Sequence, residues 1–217
     1  MVTTFSKYFL VASVTQEDAL SSNTKMTTTN EQLLINQIIN GDTKSFSVLV
    51  YHYKDLVYSL TLRMLKNKEE AEEVSQDVFI KIYKSLHKFK GDSKLSTWIY
   101  KIVYNSCLDR LKQYKKEYVN VPIDEFTENK VKSLDNALDN MIHEDRKQTI
   151  QDCINRMSSD DSFLLTLYYF EEHSLDEISK IVGLTANNVK VKLFRSRKKL
   201  ASILRSTLEP EMIRNYD

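Results

Sequence analysis

Few side chains in this sequence stand where covalent chemistry could be done. The four histidines, His52, His87, His143 and His173, are scattered, and no two have the H-x-x-x-H spacing that turns both rings to one helix face for zinc. Cys107 and Cys153 make neither a disulfide framework nor a cysteine-based zinc site, and fit a reducing compartment. With glycine only at Gly41, Gly91 and Gly183, there is no P-loop and no Rossmann fingerprint. Glu69, Glu70, Glu72, Glu73 and Asp77 lack the interleaved oxygen ligands and the glycine of a calcium loop. No catalytic residue, metal site or cofactor is expected.

The side chains that remain suit hydrogen bonding and charge neutralisation along a polymer. The run from Ser174 to Thr185 carries a capping box at Ser174 and Glu177, a glycine for a left-handed turn at Gly183, and a second cap at Thr185. This is helix-turn-helix spacing, with Leu175, Ile178, Ile181 and Val182 packing against the second helix. On that second helix, Val189, Leu193, Leu200 and Leu204 form a core stripe. Asn187, Lys190, Val191, Phe194 and Lys198 cluster on another side. Asn and Lys can hydrogen-bond base edges, and Val191 and Phe194 can touch thymine methyls, as reading a major groove requires. Asn188, Lys192, Arg195, Arg197 and Lys199 flank that face, where phosphates would lie.

A second basic surface has a different character. Lys84, His87, Lys88, Phe89, Lys90, Lys94, Trp98, Tyr100, Lys101 and Tyr104 interleave charge with rings, the pattern that grips single-stranded nucleic acid. Trp98, at helical spacing, is expected to be a core anchor. Phe89 stands in a lysine-rich turn before Gly91 and is not explained as core.

These groups need long helices to position them. The breakers Gly41, Gly91, Pro122, Gly183 and Pro210 lie far apart, which points to an all-α fold. Asp42 can cap a helix carrying Phe46, Leu49, Val50, Tyr53, Val57 and Leu60 at three- and four-residue steps. A second helix, about 68–86, carries Ala71, Val74, Val78, Ile82 and Leu86 on one side, and a third opens after Gly91-Asp92-Ser93. The organisation expected is two small helical domains joined by a flexible linker. Residues 1–30 form a Ser/Thr-rich disordered extension, within which Met26 is an alternative start. The first helical domain covers 31–116, an acidic linker 117–136, the helix-turn-helix domain 137–208 and a tail 209–217. No segment has the form of a signal peptide, and no membrane insertion is expected.

Over 217 residues the net charge is +1, which by itself argues against a nucleic-acid partner. The distribution reverses that inference. Residues 79–118 hold ten basic side chains against three acids, and 187–208 hold seven and none. Residues 119–161 hold five basic and ten acidic side chains. Two basic surfaces, one per domain, are set apart by an acidic linker, as two phosphate-contacting patches along one duplex would be.

Taken together these motifs resemble a known family. Glu70-Ala71-Glu72-Glu73-Val74-Ser75-Gln76-Asp77-Val78-Phe79-Ile80-Lys81 resembles region 2.2 of sigma-70-type transcription initiation factors. Phe89 to Ile102, followed by Asn105, looks like region 2.3 and its continuation, and Ser174 to Leu200 looks like region 4.2. With no room for a domain between them, the chain is similar to the small extracytoplasmic-function group. The resemblance implies a cytoplasmic factor that binds core RNA polymerase, through the β′ clamp helices and the β flap, and directs it to promoter DNA. It assigns core binding to Glu69, Glu72, Glu73, Gln76, Asp77 and Phe79. It assigns the melted −10 element to Ser85, Phe89, Asp92, Ser93 and Lys94 with Asn105, and nearby backbone to Lys101, Arg110 and Lys112. The −35 duplex would be read by Asn187, Asn188, Lys190, Val191, Lys192, Phe194, Arg195, Arg197 and Lys198. It also implies an anti-sigma factor that clamps the same surfaces.

Two departures stand out. Met157-Ser158-Ser159-Asp160-Asp161 replaces the usual Leu-Pro opening of region 4.1, leaving a helix start without a fixed proline turn. Val191 and Lys192 replace a small polar residue and an arginine. Two other readings remain open on the residues alone. One is a helix-turn-helix repressor or activator that binds duplex DNA without polymerase. The other is a protein-interaction module whose basic faces meet acidic partners.

Overall fold

The computed structural model describes residues 28–114 and 147–207. The expected linker, the tail, residues 137–146 and the extension up to residue 27 lie outside them. The described residues are helical throughout their regular structure: α1 (Thr28–Ile39), α2 (Thr43–Leu65), α3 (Lys68–Ser85), α4 (Leu95–Tyr114), α5 (Lys147–Asn155), α6 (Ser159–Tyr169), α7 (Leu175–Val182) and α8 (Ala186–Thr207), with a 3-10 turn at Leu86–Lys88. The all-α, two-domain class therefore stands. Helix α1 begins at Thr28, inside the stretch expected to be disordered to residue 30. The described residues fall into two compact units, 28–62 with 67–106, and 63–66 with 107–114 and 147–207.

In the first unit, local signals set the helix ends and apolar spacing sets the core. Asp42 accepts the Lys44 N–H at 2.9 Å and the Ser45 hydroxyl at 2.7 Å, which starts α2. These bonds, the Ser45 hydroxyl foremost, hold its carboxyl below the ordinary carboxylate range. Phe46, Leu49, Val50, Tyr53, Val57 and Leu60 are all buried, as their spacing predicts. Asn67 caps α3 by accepting the Glu70 N–H at 3.0 Å. Where α2 and α3 meet, the Thr61 and Ser75 hydroxyls pair at 2.8 Å, and each also has a carbonyl one turn back as an acceptor, Val57 at 3.0 Å and Ala71 at 2.5 Å, so two small polar groups are satisfied inside the core. The Lys81 ammonium reaches the Ser106 hydroxyl at 2.9 Å and so links α3 to α4.

In the second unit, α8 packs on each of α5, α6 and α7. Ser158 caps α6, and Ser174 and Glu177 close the capping box of α7 with bonds of 3.2 and 3.0 Å. Gly183 ends α7 at φ 71°, and Thr185 accepts the Asn188 N–H at 3.3 Å to start α8. Val189, Leu193, Leu200 and Leu204 are buried in one stripe, as predicted. Ile178 and Ile181 are buried, while Leu175 and Val182 are only half-buried.

A Cβ at Gly183 would meet no atom within 4 Å, so substitution there tests backbone conformation alone. Gly183→Ala should destabilise the chain by about 1 kcal/mol, the cost of placing a side chain in the left-handed region. The check is the urea midpoint; an unchanged midpoint would show that the turn tolerates another conformation.

Candidate nucleic-acid interface

The acidic face of α3 follows directly from helical geometry. Glu69, Glu72, Glu73, Gln76 and Asp77 are exposed and span an arc of about 140°. Ala71, Val74, Val78 and Ile82 are buried on the other side. Phe79 departs from the expected set. It lies at the border of the two faces, and its residue is 5% exposed, so the ring belongs to the packed interior and is withdrawn from the binding surface.

On α4 the helix brings Trp98, Lys101, Asn105 and Lys112 onto one stripe about 60° wide, with Lys94 at its head. Lys101, Asn105 and Lys112 are exposed, and Lys112 lies 3.8 Å from Asp109 on the same stripe. Arg110 does not join them. It sits about 180° from Lys101 around the helix and is half-buried. Before α4, the Phe89 and Trp98 rings pack at 5.6 Å with planes tilted by 54°, both half-buried. Trp98 is thus a partial anchor, and it gives Phe89 a ring to lean on in an otherwise polar turn. Asp92 is exposed and Ser93 half-buried, and the Ser93 hydroxyl donates to the Lys94 carbonyl at 3.3 Å. Ser85 is half-buried and donates to the Lys81 carbonyl at 2.5 Å, so its hydroxyl is committed to its own helix.

Helix α8 shows the second surface. Asn187, Asn188, Lys190 and Lys198 are exposed, and Val191, Lys192 and Arg195 are half-buried. Two of the expected contacts are corrected. Phe194 is 3% exposed, with the Lys198 ammonium 5.3 Å over its ring, so the ring is not presented to a thymine methyl here. Arg197 is 6% exposed, its guanidinium 4.8 Å from the Tyr168 ring centre and 5.4 Å from that of Tyr169. Stacking on two rings at the end of α6 holds it inside the unit, away from a phosphate.

The residues that sequence reasoning passed over are the acids of the first turn of α6. Asp161 is 6% exposed and accepts three hydrogen bonds: Ser158 at 2.6 Å, Ser196 at 2.6 Å and the Lys199 ammonium at 2.7 Å. Its neighbour Asp160 lies 3.4 Å from the Lys192 ammonium. Both lysines are on α8, more than 30 residues away, so no local pattern announces the pairs. Burial pushes the Asp161 carboxyl up, but hydrogen bonds from Lys199, Ser158 and Ser196 and the Lys199 charge outweigh it and hold the carboxyl below its ordinary range.

The family profile described as Sigma-70 region 2 matches residues 49–117, and that described as Sigma-70, region 4 matches residues 147–200. The chain is 33% identical over 177 residues to the ECF RNA polymerase sigma factor SigW of Bacillus subtilis, covering 79% of this chain and 95% of that protein. This chain belongs to the extracytoplasmic-function sigma factors. It is also 28% identical to the RNA polymerase sigma-H factor of Pseudomonas aeruginosa, over 84% of this chain and 98% of that one. Against the ECF RNA polymerase sigma-E factor of Escherichia coli the identity is 29%, over 77% and 91%. Two solved structures share the fold of this sigma factor. CnrH, in complex with the cytosolic domain of CnrY, superposes with a TM-score of 0.55 at 17% identity, over 81% of this chain and 97% of that one. RpoE of Bartonella quintana, in complex with the anti-sigma factor NepR, gives 0.53 at 16%, over 75% and 98%. No described helix of this sigma factor is long and apolar enough to cross a membrane.

The Asp161 contacts carry a stability prediction. Asp161→Ala should cost the sigma factor about 2 kcal/mol at neutral pH, because it leaves the buried Ser196 hydroxyl without this acceptor and removes the tie to Ser158 and Lys199. The carboxyl titrates lower folded than unfolded, so its contribution is complete above the ordinary carboxylate range and is lost as pH falls through the lowered folded value. Denaturation across pH should therefore show the gap between wild type and variant closing below about pH 4. A gap independent of pH would mean that the ionised form is not what matters.

Proposed function

We propose that this chain is a transcription initiation factor that binds core RNA polymerase, recognises the −10 and −35 promoter elements and promotes melting of the DNA. The observation that carries this reading is the joining, in one chain, of a region-2 unit with a largely acidic exposed face on α3 to a region-4 helix-turn-helix unit. A stand-alone repressor has a use for the second unit only and leaves the first unexplained.

The exposed Glu69, Glu72, Glu73, Gln76 and Asp77 are assigned to the β′ clamp helices, to which a largely acidic helix face is suited. The second unit is assigned additionally to the β flap. Lys94, Lys101, Asn105 and Lys112 are assigned to the −10 strand, with Phe89, Asp92, Ser93 and Ser85 shaping the turn that receives an unstacked base. Asn187, Lys190, Val191 and Lys198 are assigned to −35 base edges, and Asn188, Lys192 and Arg195 to phosphates. The acidic linker is assigned a path toward the active-site channel and RNA exit of the polymerase, where it mimics nucleic acid. Binding energy drives melting in this scheme, and all covalent chemistry belongs to the polymerase. The factor acts in the cytoplasm. RpoE of Bartonella quintana is held by an anti-sigma factor, and a partner of that kind is assigned to this chain.

Reconstitution with core polymerase and run-off transcription from genomic fragments is the direct test; a chain that neither joins the core nor starts transcripts would overturn the reading. Reversing both Glu73 and Asp77 to lysine should weaken core binding by about tenfold or more, each reversal replacing an attraction by a repulsion of about 1 kcal/mol. Duplex binding by the helix-turn-helix should be unaffected. Asn105→Ala and Phe89→Ala should each slow open-complex formation, read by permanganate footprinting, at unchanged core affinity. Loss of core affinity instead would contradict their assignment to DNA.

A further inference from the structure

One border of the DNA-reading helix is already neutralised from within the chain. Lys192 and Lys199 lie about 20° apart on α8, next to the exposed face that carries Asn187, Val191 and Lys198. Both ammonium groups meet carboxylates from the first turn of α6. The two pairs differ in kind. Asp161 is buried and holds Lys199 at 2.7 Å together with two serine hydroxyls, so that pair fastens α8 to α6. Asp160 holds Lys192 at 3.4 Å with both side chains partly exposed, 44% and 37%, so solvent reaches that pair and it is exchangeable.

We propose that Asp160 acts as a built-in phosphate mimic, competing with the DNA backbone for Lys192 and lowering the affinity of the helix-turn-helix for duplex DNA. The inference rests on the assignment of α8 to duplex DNA and deepens it, naming a residue that sets affinity without touching a base. When DNA binds, the Lys192 ammonium passes from the Asp160 carboxylate to a phosphate oxygen. The released carboxylate gathers a counterion as the phosphate sheds one, so this contact adds almost nothing to the net release of ions. With the carboxylate absent, the same lysine would contribute a full contact.

The test measures the affinity of the full-length chain for a short random-sequence duplex by fluorescence anisotropy across a salt series. Four proteins are compared: wild type, Asp160→Asn, Lys192→Ala and the double variant. Asp160→Asn should tighten binding by about threefold at physiological salt, the range of an exposed ion pair. It should also steepen the slope of log affinity against log salt by about one. In the Lys192→Ala background, Asp160→Asn should change neither quantity. Lys192→Ala should cost more affinity in the Asp160→Asn chain than in wild type. A merely structural role for Asp160 would move the melting temperature and leave the salt slope alone. The proposal is overturned if Asp160→Asn leaves affinity and slope unchanged, or if its gain persists without Lys192, which would mean a general field effect. A wild-type chain that binds no duplex even at low salt would instead sink the assignment of α8 to DNA, and this inference with it.

Discussion

Helix α8 must satisfy two demands that pull against each other. It has to bury one stripe against three other helices while keeping its opposite face open for a polymer of phosphates. Twenty-two residues with no acid, from Ala186 to Thr207, make that face strongly cationic, and a cationic helix face repels itself. The first turn of α6 supplies the missing negative charge. Asp161 enters the interior, and because three donors converge on it, a buried carboxylate stays ionised and fastens α6 to α8. Asp160, one residue earlier, stays partly open to solvent and forms a looser pair. The same turn thus contributes one structural anion and one exchangeable one.

The region-2 unit meets a comparable demand by segregation. Its acidic side chains occupy one face of α3 and its cationic ones a stripe on α4, so two partners of opposite charge can be served by neighbouring helices. Between them the core is closed by apolar stripes and by the Thr61–Ser75 hydroxyl pair. The near-neutral total charge is a cancellation of these surfaces, and it carries little information about partners.

Much of this was legible along the chain. The caps at Asp42, Ser174 and Thr185, the turn at Gly183 and the buried stripes of α2, α3 and α8 all follow from signals contained within a few residues. The acidic run of α3 and the basic run of α8 needed only counting and helical periodicity. What failed was the placement of individual side chains that helical period alone does not settle. Phe79 and Arg197 stand at the edge of a buried stripe, where a rotation of a few tens of degrees or one neighbouring ring decides between solvent and interior. Phe194 is buried although its helical neighbours Lys190 and Lys198 are exposed, and Arg110 lies on the buried side of α4, so only packing decides their placement.

The sequence by itself determined the helices, their caps, the charge of each face and the resemblance to sigma regions 2 and 4, because backbone hydrogen bonding and helical period act over three or four residues. Only the tertiary structure decided which charged side chains are free to meet a partner. Asp160 with Lys192, Asp161 with Lys199, and Arg197 with Tyr168 and Tyr169 are pairs separated by about 30 to 40 residues, brought together by the packing of α6 on α8. An ion pair forms between neighbours in space, and electrostatic attraction carries no trace of that neighbourhood in the local order of residues.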